Sequence, residues 1–303
     1  MNTIEIEGVS KTFGSVTAVS DLSLIVPKGS VYGFIGPNGA GKTTTIRMIM
    51  RIFHPDRGHI RVFGEEQSAT ATDRIGYLPE ERGLYKKMKV HEILQFYARL
   101  KGLRRPQAQI DSWLERMSLS DWANKRVETL SKGMSQKVQF IAAVVAAPEL
   151  VILDEPFTGL DPVNAEVLRE AVLDLRRGGT TVIFSTHDMN VAEMMCDYIF
   201  MIFKGSKVLD GTLESIQASY GSDTIRLRTD GNSDELAGLP EVERVVDFGQ
   251  YQEIRLGNEA DPQAFLAKIM QTSRIQRFEL TRPSLRDIFI RIAGPSAEEL
   301  EHV

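Results

Sequence analysis

Gly36-Pro37-Asn38-Gly39-Ala40-Gly41-Lys42-Thr43 reads G-x-x-x-x-G-K-[ST], the spacing of a phosphate-binding loop. Val31 to Ile35, just before it, is a short apolar and aromatic run that predicts a strand. Thr43 to Ile52, just after, predicts a helix with Ile46, Ile49 and Met50 on one face. A glycine loop between strand and helix is the context that gives the motif its meaning, because successive N–H groups then line an anion nest at a helix N-terminus. Lys42 places a cation beside the β- and γ-phosphates of a polyphosphate, and the Thr43 hydroxyl is a ligand for Mg²⁺. The plain alternative is a Gly-rich turn ahead of an ordinary helix, which the flanking pattern disfavours.

Outward from this loop, short apolar runs alternate with helical patterns. Strands are expected near Ile4–Val9, Leu22–Val26, Ile60–Val62, Ile75–Leu78, Leu150–Leu153, Thr181–Phe184 and Tyr198–Phe203. Helices are expected near His91–Lys101, Gln107–Met117, Met134–Ala146, Pro162–Arg177 and Met189–Met195. Such alternation predicts an α/β fold with a mostly parallel sheet, interrupted by a helical subdomain at about 88–147 in which Trp113 and Trp122 serve as core anchors. Past Tyr220 the pattern changes. Gly221-Ser222-Asp223 reads as a linker, Gly249-Gln250 as a hairpin turn, and Asp261-Pro262 as the start of a helix. The division expected is therefore 1–219, a small α+β domain at 221–294, and an acidic tail at 295–303.

Composition narrows the class. The chain of 303 residues is 42% hydrophobic and 25% charged, ordinary for a globular protein. No apolar run approaches the about 20 residues that span a bilayer, and Met1 to Ser10 lacks a signal-peptide pattern. Cys196, the single cysteine, excludes an internal disulfide. A net charge of −5 without a basic block argues against a dedicated nucleic-acid binder. These features point to a cytoplasmic protein.

Ligands of open α/β sheets bind beyond the carboxyl ends of the strands. Four expected strands end in chemistry-bearing residues: the glycine loop, Pro79-Glu80, Asp154-Glu155 and Ser185-Thr186-His187. Parallel pairing would deliver all four to one edge. Asp154 would then address a hydrated Mg²⁺, while Glu155, pointing to the other side of the strand, would orient or deprotonate an attacking water. His187 would hydrogen-bond a γ-phosphate oxygen. Leu130-Ser131-Lys132-Gly133-Met134 precedes an apolar helix and reads locally as an N-cap.

The order GPNGAGKTT, LSKGM, LVILDEP, TGLDP and STHD resembles the ATP-binding subunit of ABC transporters over residues 1 to about 219. The resemblance implies a P-loop NTPase fold of ABC type, with ATP and Mg²⁺ as cofactors and ATP hydrolysis as the activity. Phe13 and Gly36 to Thr44 would bind ATP, with Phe13 stacking on adenine. Lys42, Glu155 and His187 would be catalytic, and Thr43, Glu80 and Asp154 would hold the metal. Two such domains meet head to tail, so the signature residues Leu130, Ser131, Lys132, Gly133 and Met134 would face the partner's nucleotide, Ser131 and Gly133 touching the γ-phosphate. Gly159-Leu160-Asp161 matches the D-loop, which helps couple the two sites.

Two departures stand out. The usual signature is LSGGQ, so Lys132 and Met134 are substitutions, and Glu80 replaces the usual Gln after Tyr-x-Pro. The run Gly76 to Tyr85, together with LSKGM, resembles the ABC-2-type exporter ATPases of the sodium-extrusion NatA kind, which also carry a small C-terminal domain. The implied partners are a second ATPase subunit, identical or not, and a separate transmembrane permease, with no nucleic acid; the implied location is the cytoplasmic face of the membrane. Coupling to the permease is expected at Glu81 to Met88, with Gly83 as hinge and Leu84, Tyr85 and Met88 as apolar anchors. The alternatives are a soluble ABC ATPase acting on ribosomes or DNA, and a nucleotide-sensing module without turnover.

Overall fold

The computed structural model describes residues 2–66, 72–81, 83–220, 224–229, 236–247, 249–257 and 260–294. The chain divides into two compact units, Met1–Leu213 and Glu214–Val303.

In the first unit the strands are β1 (Asn2–Phe13), β2 (Val16–Pro27), β3 (Val31–Ile35), β4 (Arg57–Val62), β5 (Glu65–Glu66), β6 (Ile75–Leu78), β7 (Leu150–Asp154), β8 (Thr181–Thr186), β9 (Tyr198–Phe203) and β10 (Ser206–Gly211). The helices are α1 (Lys42–Ile49), α2 (Val90–Leu100), α3 (Gln107–Arg116), α4 (Lys132–Val144), α5 (Pro162–Arg177) and α6 (Met189–Met195). The central sheet has the order β10-β9-β3-β8-β7-β6. Its pairs β9/β3, β3/β8, β8/β7 and β7/β6 are parallel, and only β10 runs against its neighbour. The carboxyl ends of β3, β6, β7 and β8 therefore lie along one edge. A second, antiparallel sheet has the order β2-β1-β4-β5.

Strand β7 shows why this sheet is rigid. All its residues are buried. Val151 and Leu153 pack into one core with the helical subdomain, and Leu150 and Ile152 into another with β1, β2 and α1. A strand covered on both faces must be apolar throughout, which is how Leu150 to Leu153 reads. The helical subdomain buries Val138, Phe140, Ile141 and Val144 of α4, and Trp113 packs edge-on against Phe140 at 5.8 Å. Trp122 is half-buried against the same core. No helix among the described residues is long and apolar enough to cross a membrane.

The second unit holds α7 (Leu213–Ser219), β11 (Thr224–Thr229), β12 (Val242–Asp247), β13 (Gln252–Leu256), α8 (Pro262–Ile269), β14 (Ile275–Thr281) and α9 (Leu285–Ala293). Its antiparallel sheet, β12-β13-β11-β14, alternates. Ile225, Leu227, Ile254 and Leu256 point into a core with Phe265 and Ile269 of α8, while Arg226 and Glu253 face the other side. Asp261 caps α8, accepting from the Gln263 N–H at 3.0 Å, with Pro262 in its first turn. The division falls earlier than the expected residue 219. Helix α7 belongs to the small unit because Gln217 donates to the Pro283 carbonyl at 3.0 Å and Arg291 to the Tyr220 carbonyl at 3.2 Å. The expected linker at 221–223 and the acidic tail at 295–303 lie outside the described residues. Strand β10 is absent from the sequence reading because Ser206 to Gly211 is an edge strand with a single buried residue, Leu209, and so carries almost no hydrophobic signal.

Candidate nucleotide site

The loop between β3 and α1 is built around backbone that a side chain would obstruct. Gly36 has φ 151°, and a Cβ there would sit 2.2 Å from the Ile202 carbonyl oxygen on β9. Helix α1 starts with Gly41 as its cap residue, with no side chain satisfying the first N–H groups and no acid in its first turn. Such an end is open to an anion. Asn38 to Thr44, Ala18, Glu80 and Glu155 line a cavity of about 210 Å³ over these groups. Lys42 folds back onto its own loop, donating to the Gly36 carbonyl at 2.6 Å and the Pro37 carbonyl at 3.1 Å. Its ammonium lies 3.7 Å from Glu155 Oε1. Burial lowers its pKa, against the opposing pull of the Glu155 and Asp154 charges. A polyphosphate would stabilise the ammonium and replace the loop carbonyls as its partner.

Asp154 ends β7 and is 1% exposed. Its Oδ1 accepts from Ser185 Oγ and, at 3.3 Å, from Thr43 Oγ1. Its Oδ2 is buried without a hydrogen-bond partner. Burial pushes the carboxyl above the ordinary value of 3.8, partly offset by the Ser185 and Thr43 hydrogen bonds. An orphaned buried carboxylate oxygen beside a threonine hydroxyl fits one face of a hydrated Mg²⁺, which binds through one or two protein groups and takes its other ligands from water and phosphate. Glu80 is exposed on the rim of the same cavity.

Glu155 is buried, and its separation from Asp154 has a different origin from the one expected. It lies beyond the end of β7 with φ 50°, the left-handed region that a side chain adopts only at a cost. The kink at this residue, rather than strand alternation, turns its carboxylate away from Asp154. The turn is held from several sides. The Glu155 N–H donates to Ser185 Oγ at 3.0 Å, Thr158 Oγ1 donates to Glu155 Oε2 at 3.0 Å, and His187 Nδ1 lies 3.1 Å from both carboxylate oxygens. Gln136 of α4 reaches the Glu155 and Pro156 carbonyls. His187 thus contacts the Glu155 carboxylate, and its side chain is 52% exposed toward the edge where a phosphate would lie.

Ser185, Thr158 and Gln136 were not assigned roles from the sequence. Ser185 was visible as a polar residue at a strand end. Thr158 meets Glu155 within the turn that follows β7, and Gln136 reaches it only because α4 packs there.

The remaining expected residues fall in two groups. Phe13 ends β1, is 42% exposed, and packs edge-on against Phe53 at 5.2 Å; it does not line the phosphate cavity. Ser131 is exposed and caps α4, accepting from the Met134 N–H at 3.2 Å. Leu130 and Met134 pack inward on the helical core, as does Leu160. Asp161 caps α5, accepting from the Asn164 N–H at 3.0 Å. In the Glu81–Met88 stretch, Leu84 and Met88 turn to the core. Tyr85 alone of the three expected anchors is fully outward, 57% exposed and edge-on to Phe96 at 5.9 Å. A mainly apolar cavity of about 390 Å³ opens beside them, lined by Tyr77, Leu78, Leu84, Tyr97 and Leu100 among others.

Residues 19–158 match the ABC transporter family, and residues 211–293 match the C-terminal domain of DrrA1-3-like ATP-binding proteins. The uncharacterized ABC transporter ATP-binding protein YhaQ of Bacillus subtilis (strain 168) is 43% identical over 296 residues, spanning 96% of this chain and 98% of that protein. The ABC transporter ATP-binding protein NatA of the same organism is 41% identical over 216 residues, 69% of this chain and 88% of that protein. Nod factor export ATP-binding protein I of Rhizobium sp. (strain N33) is 34% identical over 98% of both chains. A solved ATP binding subunit of an ABC transporter superposes with a TM-score of 0.69 at 31% identity, covering 72% of this chain and 93% of that one. The phosphate loop, the buried Asp154-Glu155 pair and the small C-terminal domain thus belong together: this chain is a member of the ABC transporter ATP-binding proteins, with a DrrA-like C-terminal domain.

Proposed function

We propose that this chain binds MgATP in the cavity above Gly36–Thr44, hydrolyses it, and drives a separate membrane permease in an exporter. The observation that carries the hydrolytic part is the pairing of Asp154, whose Oδ2 is buried without a partner, with Glu155, held in a left-handed kink beside His187. Thr43 and Asp154 would hold Mg²⁺, with Glu80 on the rim. The metal supplies charge neutralisation at the phosphate oxygens. The α1 N–H groups and Lys42 bind the polyphosphate, Glu155 takes a proton from the attacking water, and His187 steadies Glu155 and donates toward the γ-phosphate. Phe13, exposed on its turn, would receive the adenine.

In this reading the site is completed by a second ATPase subunit. Ser131 and Gly133 are exposed or half-buried and do not line the cavity over the glycine loop of their own chain, which suits a contact across a head-to-tail pair. Gly159, Leu160 and Asp161 lie beside that contact and would couple the two sites. The exporter assignment draws on the named role of the Nod factor relative, and places the chain on the cytoplasmic face of the membrane. The apolar cavity lined by Leu84, with exposed Tyr85 next to it in the chain, would receive a short helix of the permease. Residues 1–213 would act as the ATPase domain and the small domain in assembly or regulation.

The deciding experiment mixes two inactive variants. Ser131→Arg blocks the signature and Lys42→Ala empties the phosphate loop, so the heterodimer keeps at most one intact composite site. Independent full-rate hydrolysis by either variant alone would refute the shared site. Co-purification from membranes with a polytopic partner tests the exporter assignment, and recovery of rRNA or DNA instead would refute it.

A further inference from the structure

We infer that Lys132 is a positioning residue for the metal and phosphate site of its own subunit, where it balances the carboxylate of Glu80 across the cavity they share. The inference rests on the MgATP reading above.

Lys132 and Glu80 are both departures from the usual family pattern, one replacing glycine and the other glutamine, and they carry opposite charge. They are 52 residues apart in the sequence, yet both line a cavity of about 420 Å³ together with Asp154, Glu155, Gln136 and Thr158. Among the described lining residues three are carboxylates, and Lys132 is the one cation. Glu80 also lines the phosphate cavity, so its charge lies between the two spaces.

The direction of the Lys132 side chain is set by its neighbour on the D-loop. Gly159 has φ 77°, and a Cβ there would lie 2.6 Å from Lys132 Nζ and 2.8 Å from its Cε. The end of the stem and its ammonium therefore lie against the bare backbone of Gly159, shortly after the Asp154-Glu155 turn in the same chain. Ser131, the residue before it, is exposed at the cap of α4. Lys132 is exposed as well, and its ammonium lies over the D-loop of its own chain on the cavity that it shares with Glu80.

The usual pattern places neutral Gln and Gly at these two positions. Here the negative charge of Glu80 near the phosphates is offset by a positive charge arriving from α4, and the sum over the cavity is unchanged. Removing either charge alone unbalances the site in opposite senses. Loss of Lys132 leaves excess negative charge, which favours Mg²⁺ and disfavours the nucleotide phosphates. Loss of Glu80 does the reverse.

The test is binding of a non-hydrolysable fluorescent ATP analogue to the full chain as a function of Mg²⁺, at protein dilutions where the chain is monomeric. Lys132→Met should lower the Mg²⁺ needed for half-saturation by about threefold to tenfold, and Glu80→Gln should raise it by a similar factor. Lys132→Arg, which keeps the charge, should match the wild type. The double variant Glu80→Gln, Lys132→Met should return to it. A loss of packing alone would move both single variants in the same direction, or leave the metal dependence unmoved, and either result overturns the inference. So does a Lys132→Met shift seen only in the dimer, which would assign the ammonium to the partner's nucleotide. A wild-type chain that binds no analogue at any Mg²⁺ concentration overturns the nucleotide reading itself, and this inference with it.

Discussion

Asp154→Asn should make the nucleotide-free protein more stable while destroying its response to MgATP. The carboxylate is 1% exposed, and its Oδ2 has no hydrogen-bond partner. An unpartnered buried polar group costs about 1–3 kcal/mol, more when charged. Asparagine keeps the Oδ1 that accepts from Ser185 and Thr43 and leaves a neutral amide where Oδ2 was, so roughly 1–2 kcal/mol should be recovered. For a unit of this size that raises the melting temperature by about 2–6 °C.

Trp113 and Trp122, the only tryptophans, both lie in the first unit, so intrinsic fluorescence reports its unfolding separately. Melting is followed in EDTA and again with saturating MgATP. Wild type should gain about 2.7 kcal/mol at a ligand concentration one hundred times Kd, and the variant should gain far less. The pH dependence has a definite sign. Burial raises the folded-state pKa of Asp154 above its ordinary 3.8, so the stability associated with its neutral form is present below 3.8 and lost as pH rises through the raised value. The advantage of the variant should therefore be smallest near pH 4, grow as pH rises through the raised value and then level off. If Asp154→Asn melts at or below wild type in EDTA at neutral pH, Asp154 is not an uncompensated charge and the metal argument fails.

Glu155→Gln should lose at least about a hundredfold in hydrolysis while retaining ATP affinity, and should accumulate an ATP-bound dimer on size exclusion; unchanged turnover would remove Glu155 from the chemistry. Gly36→Ala should destabilise the loop by about 2 kcal/mol or more and weaken ATP binding, because its Cβ would collide with the Ile202 carbonyl; calorimetry that finds wild-type affinity would refute the close approach. A chain ending at Leu213 should bind ATP within about tenfold of the full chain, since every described residue lining the phosphate cavity lies upstream; loss of binding in a folded truncation would show that the small unit completes the site. Tyr85→Ala should leave basal hydrolysis intact and lower permease-dependent transport, and equal loss of both would move the coupling elsewhere.

Much of this protein is legible in its residues because the relevant physics is local. A glycine loop followed by Lys42 and Thr43 can do little else between a strand and a helix. Leu150 to Leu153 is apolar at every position because both faces of its strand are covered, and Asp261-Pro262 starts a helix through its own hydrogen bond and its own fixed φ. Edge strand β10 escaped such a reading because exposure removes the pattern. The assignment of α7 escaped it because Gln217 and Tyr220 find their partners, Pro283 and Arg291, far along the chain and beyond the reach of local propensity. At the site itself, sequence named Asp154, Glu155 and His187 through their places at strand ends. It could not foresee that Glu155 is turned by a left-handed kink, that Ser185 ties Glu155 to Asp154, or that Gln136 and Thr158 brace that turn. Nor could it bring Lys132 and Glu80 to one cavity. The kink and the Thr158 contact arise in the turn after β7, the Ser185 link from the pairing of β7 with β8, and the Gln136 and Lys132 relations from α4; a contact between distant segments leaves no periodicity in either.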